Sequence, residues 1–262
     1  MNWNPTWICP ANDLGDPAAV FGTSFVFEKK ITHANLTITA MGVYEARLNG
    51  RRVGQFVMAP GWTSYHKRLQ YQEYDITDLL TNGKNEIEVA VGKGWYRSPL
   101  PGWLGCAYQD ELRSRPCGLA AQITLTFEDG SSKILSTDES WKVSDGPVRF
   151  SEIYDGEIYD SAKTPLLDQP VTIFDGPTDT LILQQGEEVC EQERLAVKKV
   201  FVTPNGETVL DFGQNMTGYV ELFVNAKAGD CVEMVYKPGI HHLLSMVFDI
   251  FASMTSQAAL TA

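Results

Sequence analysis

Trp62, Tyr65, Trp95, Tyr96, Arg97 and Trp103 are side chains of the kind that contact a sugar. Aromatic rings offer a flat apolar face with a polar rim, and a guanidinium offers several donors to hydroxyl groups. Trp95, Tyr96, Arg97 and Trp103 fall in a stretch rich in glycine and proline (92–105), while Trp62 and Tyr65 follow Pro60-Gly61. The same residues also suit a structural role, with Trp95 plugging the end of a core and Trp103 packing on a neighbouring unit. Large aromatics are buried more often than they are presented.

Other candidates are weaker. Asp155, Glu157 and Asp160 in IYDGEIYD offer carboxylates for acid–base work, but Asp155 and Glu157 are two apart. On a strand that places them on one face with Cα atoms about 6–7 Å apart, and Gly156 suggests a bulge. A turn whose acceptors hold backbone amides is the better reading. Asp211, Gln214 and Asn215 in DFGQN suit a tight turn or an interface with a further domain. The adjacent His241 and His242 would point apart on a helix or a strand, which makes a poor metal pair. No catalytic residue, metal ligand or cofactor is assigned from these patterns.

The elements that must carry these residues are strands, and the fold class expected is all-β. Ala34, Leu36, Ile38 and Ala40 alternate with polar residues, as do Ile87, Val89 and Val91, and residues 119–127 repeat the pattern. Asn49-Gly50 and Asp129-Gly130 have the ready access to positive φ that tight hairpins require. Residues 1–20, with Pro5, Pro10 and Pro17, read as an irregular lead-in. Residues 75–80 read as a short helical turn, and 139–143 and 153–159 as two further strands. About nine short strands at this spacing suit a jelly-roll-like β-sandwich over residues 1–165. The segment 164–190 carries Pro165, Pro170 and Pro177 and is able to lend a strand to either side. Strands expected at 195–202, 208–212, 218–224 and 231–236 make residues 166–238 the start of a second β-sandwich. Residues 239–262 place Leu243, Leu244, Val247, Phe248, Phe251 and Met254 on one helical face, an amphipathic tail.

With 21 basic and 33 acidic residues the net charge is -12, which disfavours nucleic acid and anionic membranes as partners. The five cysteines are widely and irregularly spaced and read as reduced thiols. The first residues show no signal-peptide pattern and no stretch is apolar enough to span a bilayer, so a cytoplasmic location is expected.

GVYEARLNGRRVG, APGWTSYHKRLQYQEYDITDLL, GWYR, SEIYDGEIYD and ETVLDFGQNMTGYVEL follow one another in this order. Together they resemble the N-terminal portion of bacterial α-L-rhamnosidases, inverting glycosidases that remove terminal L-rhamnose from glycans. The resemblance runs from about residue 7 to residue 236. It implies a jelly-roll sandwich related to a rhamnose-binding module, which in some members uses calcium, followed by a second sandwich. It also implies catalytic residues on a later barrel of paired helices. Inverting hydrolysis needs two carboxyl groups about 6.5–9.5 Å apart, and the family supplies both from that barrel. The resemblance stops near Tyr236, which leads us to expect a truncated or frame-shifted product, inactive by itself, with L-rhamnose-containing glycans as partners through its parent. A free-standing carbohydrate-binding module and a sandwich for protein interaction are the alternatives. Family members commonly carry an acidic residue after the tyrosine that aligns with Tyr65; His66 stands there instead, and calcium prefers hard oxygen ligands. No metal is expected at that position.

Overall fold

The computed structural model describes residues 3–98, 111–112, 114–153, 155–223 and 225–234. Trp103 and His241-His242 lie outside them, as does the expected helical tail at 239–262. The chain forms two compact units, Met1–Val189 and Cys190–Ala262.

The first unit holds β1 (Trp7–Pro10), β2 (Ala19–Phe27), β3 (Ile31–Met41), β4 (Val43–Leu48), β5 (Arg51–Arg52), β6 (Leu69–Asp75) and β7 (Gly83–Gly92). It continues with β8 (Gly118–Phe127), β9 (Ser132–Ser136), β10 (Lys142–Asp145), β11 (Val148–Glu152), β12 (Gly156–Tyr159), β13 (Gln169–Phe174) and β14 (Leu181–Leu183). Two short helical turns interrupt the strands: a 3₁₀ turn at Thr77–Leu79 and α1, one turn at Gly94–Arg97. This is the all-β sandwich expected from the alternation.

One layer runs β14-β6-β3-β8-β1-β13, with β9 also on β8, and the other runs β13-β10-β2-β7-β4-β5. β13 belongs to both. Its Gln169 and Pro170 pair with Val143 and Lys142 of β10, and its residues 171–174 pair with β1. Pro170 sits where the strand changes partner, a place that tolerates a missing amide. The segment 164–190, read as able to lend a strand to either side, thus supplies β13 and β14 to the first unit.

The core follows the period-two pattern. Leu36 and Ile38 of β3, Ile87 and Val89 of β7, Leu119 and Leu125 of β8 and Phe21 of β2 are all buried between the layers. The opposite face of the first layer carries a smaller cluster of Trp7, Met41, Leu69 and Ala120, with Trp3, Tyr65, Tyr96 and Phe174 packed on it. At the Asn49-Gly50 turn both residues have positive φ, 53° and 76°, as the dipeptide requires. Asn49 also joins elements, donating to Leu79 O and Asn85 Oδ1 and accepting from Glu86 N.

Three elements differ from expectation. Residues 7–10 form a strand within the supposed lead-in, because Trp7 and Ile8 are buried and β13 supplies a partner from far along the chain. The strand expected at 153–159 is the second half of a hairpin, with β11 pairing β12 from Glu152 and Gly156 outward. In the second unit the strands among the described residues are β15 (Lys199–Val202) and β16 (Thr208–Asp211), an antiparallel pair. Residues 218–223 and 231–234 are not regular strand. Val200 and Val202 of that pair are 60% and 65% exposed, so no second layer among the described residues buries the alternation there.

The hydroxyls of Tyr44 and Tyr74 meet at 3.3 Å in the core. Burial pushes the Tyr44 phenol well above its ordinary value, with the charge of Tyr74 adding to it. Burial likewise pushes Tyr74 up to about 12, against the hydrogen bond from Tyr44. Phenols raised in the fold ionise earlier in the unfolded chain, so their contribution is intact below pH about 10 and is lost as pH rises through the folded values. Denaturant unfolding at pH about 9 and about 11.5 should therefore show a larger alkaline loss for the wild type than for Tyr44→Phe/Tyr74→Phe. Equal losses in the two proteins would refute this assignment.

Candidate functional site

Two loops meet beside the smaller aromatic cluster, and each is anchored from beneath. The loop leading from β5 to β6 is held at Ala59 and Pro60. Tyr44 N donates to Ala59 O at 2.7 Å, and the side chains of Gln70 and Gln72 donate to Pro60 O at 3.2 and 3.4 Å. Beyond it, Lys67 N and Arg68 N both donate to Ser64 O, which closes a turn. Trp62 is left 59% exposed on top of this loop. Tyr65 donates its hydroxyl to Gly61 O at 3.3 Å and packs on the cluster.

The second loop is α1. Gly94 opens it at φ +52°, a conformation that costs an L residue energy. A Cβ there would stand 2.6 Å from Val43 Cγ1 and 2.9 Å from Val43 N, so only glycine lets the turn seat on β4. This seating fixes where the turn that carries Trp95 and Tyr96 begins. The four-residue turn ends at Ser98, whose amide donates to Gly94 O.

The two loops bring their rings into register. Trp62 and Trp95 stack with centroids 6.0 Å apart and an interplanar angle of 8°, and Tyr65 meets Tyr96 edge-on at 5.2 Å. Trp62, Thr63, Ser64, Tyr65, His66, Trp95 and Arg115 line a cleft of about 450 Å³. Arg115 lies 5.1 Å over the Tyr96 ring, donates to Tyr96 O at 3.2 Å and to Glu111 Oε1 at 2.9 Å, and sits 3.4 Å from His66 Nε2. Burial pushes the Tyr96 phenol up, against the pull of the Arg115 and Arg97 charges. The cleft therefore offers an exposed indole face, two hydroxyls, a phenol and a fixed cation. That set can bind a polar ligand with a flat apolar side.

Of the residues expected from sequence, Trp62, Tyr65 and Trp95 line the cleft, and Tyr96 supports it from behind. Arg97 turns away towards Cys117. Burial pushes that thiol up to about 11, against the pull of the Arg97 guanidinium bonded to it. Trp103 is outside the described residues. Arg115, His66, Thr63 and Ser64 were not singled out as ligand contacts; Arg115 comes from a segment without a pattern of its own, and only the fold brings it to the cleft. The carboxylates read as turn acceptors behave as such at two places. Asp160 Oδ1 accepts from Ala162 N, and Asp211 Oδ1 from Gly213 N.

A family model described as the alpha-L-rhamnosidase N-terminal domain matches residues 29–193, more than half of the chain. The chain belongs to the alpha-L-rhamnosidase N-terminal domain family. A second model, the bacterial alpha-L-rhamnosidase concanavalin-like domain, matches residues 201–242 of it. An alpha-L-rhamnosidase from Streptomyces avermitilis is 36% identical over 217 residues, which is 79% of this chain and 21% of that protein. One from Formosa agariphila is 32% identical over 257 residues, 94% of this chain and 26% of that protein. Among solved structures, native alpha-L-rhamnosidase from Aspergillus terreus matches with TM-score 0.74 and 34% identity, over 87% of this chain and 29% of that one. The Streptomyces avermitilis alpha-L-rhamnosidase complexed with L-rhamnose matches with TM-score 0.73 and 35% identity, over 81% and 21%. The chain thus spans between a fifth and a third of the length of these relatives. Among the described residues no helix is long and apolar enough to cross a membrane.

Calcium, implied by resemblance to some family members, can be tested against the donors of this alpha-L-rhamnosidase N-terminal domain. Next to Tyr65 stand an imidazole and a guanidinium 3.4 Å apart. A hard divalent cation takes oxygen ligands and is repelled by a fixed positive charge, so this donor set does not fit it. Saturating calcium should leave the melting temperature unchanged, and a rise of several degrees would contradict the assignment. Gly94→Ala should destabilise the protein by about 2 kcal/mol or more in denaturant titration, since it combines a strained φ with a clash against backbone. A loss within a few tenths would show that α1 is not seated as described.

Proposed function

We propose that this chain is a non-catalytic N-terminal part of an α-L-rhamnosidase-like glycoside hydrolase whose parent acts on terminal L-rhamnosides. Its aromatic cleft contacts sugar in support of the substrate site. The observation that carries this reading is the Trp62–Trp95 stack, which presents the outer indole face beside hydroxyl and guanidinium groups. A pyranose pairs its apolar C–H face with such a ring and its hydroxyls with the polar rim. The kinship with alpha-L-rhamnosidases names L-rhamnose as the first ligand to try. The non-catalytic part of the proposal is supported by the cleft lining, in which no carboxylate is found among the described residues. Hydrolysis needs two. A cytoplasmic location belongs to the same proposal and rests on the free thiols of Cys9, Cys117, Cys190 and Cys231.

Titration with L-rhamnose, followed by tryptophan fluorescence, should show saturable binding that Trp62→Ala abolishes. Because Trp62 is mostly exposed, that variant should lose little beyond the stacking contribution of about 1 kcal/mol. No signal into the tens of millimolar from the wild-type chain would leave a scaffold or protein-interaction role in place of sugar binding. Turnover of p-nitrophenyl rhamnoside by this chain alone would overturn the non-catalytic assignment.

A further inference from the structure

SEIYDGEIYD has no place in the cleft, yet its second residue reaches the base of α1. Lys93, which immediately precedes Gly94, donates from Nζ to Glu152 Oε1 and to Asp16 Oδ1, both at 2.9 Å. The ammonium also lies 5.1 Å over the Phe150 ring. The lysine side chain is 16% exposed and that of Glu152 only 10%, so this is a mostly buried ion pair. The other carboxylate oxygen of Glu152, Oε2, is buried without a hydrogen-bond partner, which leaves Lys93 as its bonded countercharge among the described residues. Burial pulls the Lys93 ammonium down, and the hydrogen bonds and charges of Asp16 and Glu152 outweigh it and leave it raised. Three remote segments therefore converge on one nitrogen: the approach to β2, the β7–α1 junction, and the β11–β12 hairpin.

We infer that Lys93 and Glu152 are positioning residues for the aromatic cleft, the hairpin acting through Lys93 to hold α1 where Trp95 can stack on Trp62. The Gly94 seat fixes how the turn begins but leaves its swing about that point open. Arg115 holds the far side of the turn at Tyr96 O, and the ion pair adds a tether at the residue next to the pivot. A buried ion pair adds little net stability over apolar replacements of the same shape, whereas loss of one partner leaves an uncompensated charge. Stability and geometry are thus separable here, which makes the role testable.

The inference rests on the sugar-binding reading for its consequence but not for its detection, because two indoles stacked at 6.0 Å couple excitonically and give a circular-dichroism couplet, without any ligand, wherever their in-plane transition dipoles are skewed. In the full chain, Trp62→Ala should remove the couplet and so assign it. Lys93→Met should lower both the melting temperature and the couplet. Lys93→Met/Glu152→Gln, with no buried charge left unpaired, should recover most of the melting temperature while the couplet stays lost; this variant also serves if the single one fails to fold. Lys93→Arg should keep the couplet. Val143→Ala, a core truncation away from α1, should lower the melting temperature with the couplet intact. Affinity for L-rhamnose should fall by about tenfold in the double variant, the equivalent of one aromatic contact. A double variant with a wild-type couplet overturns the inference, as does a couplet that follows melting temperature in every variant, Val143→Ala included. A lost couplet in a protein whose wild type never binds L-rhamnose would keep the positioning role and remove the sugar.

Discussion

Gln70 and Gln72 stand on the inner side of β6, in line with core residue Tyr74, where water cannot satisfy their amides. Each amide finds its partners in the segments that close this end of the sandwich. Gln72 Oε1 accepts from the Tyr44 hydroxyl at 2.7 Å, while its Nε2 donates to Gln184 Oε1 at 2.8 Å. Gln70 Oε1 accepts from Gln185 N, and both amides donate to Pro60 O. A buried polar group without a partner costs about 1–3 kcal/mol, so the loop after β5 and the segment after β14 cannot leave without exposing that cost. The position of Trp62 follows from a requirement of the core.

The cleft depends on this constraint more than on its own contacts. An aromatic pair such as Trp62–Trp95 contributes about 1 kcal/mol beyond its area burial, whereas ordering the backbone of one loop residue costs about 1–2 kcal/mol. The stack cannot order two loops. It forms because one loop is bonded to buried glutamines and the other is seated on Val43 through Gly94, and it then reports on whether both are in place. A site built this way is preorganised, and a ligand meets rings whose ordering cost has already been met by the fold.

Sequence patterns revealed the parts of this arrangement that are local. Alternation located β3, β7 and β8, and Asn49-Gly50 located its hairpin, because side-chain period and positive φ are properties of neighbouring residues. β1 was hidden because four residues beside prolines carry too little periodicity, and its partner β13 lies far along the chain. The β11–β12 hairpin was half read, since Asp155-Gly156, which closes its turn, reads equally well as a bulge within one strand. In the site, ring type and nearby glycine pointed to Trp62, Tyr65 and Trp95. Arg97 was drawn in by adjacency, but a one-turn helix sends successive side chains in different directions. Arg115 had no such neighbourhood, and its place over Tyr96 is a product of tertiary structure alone.

The distribution of charge gives the cleft its character. The chain carries 33 acidic and 21 basic residues, yet among the described residues the cleft lining holds one guanidinium, one imidazole and no carboxylate. Glu111, half exposed, is bonded to Arg115, so the guanidinium is partly neutralised where it faces the ligand. A strongly anionic ligand would gain little from that paired cation and would be repelled by the protein as a whole. A cationic ligand would meet Arg115 directly. A neutral, hydroxyl-rich ligand suffers neither penalty and can use the indole face and the hydroxyl rim together, and this electrostatic argument supports the proposed sugar ligand without reference to any relative.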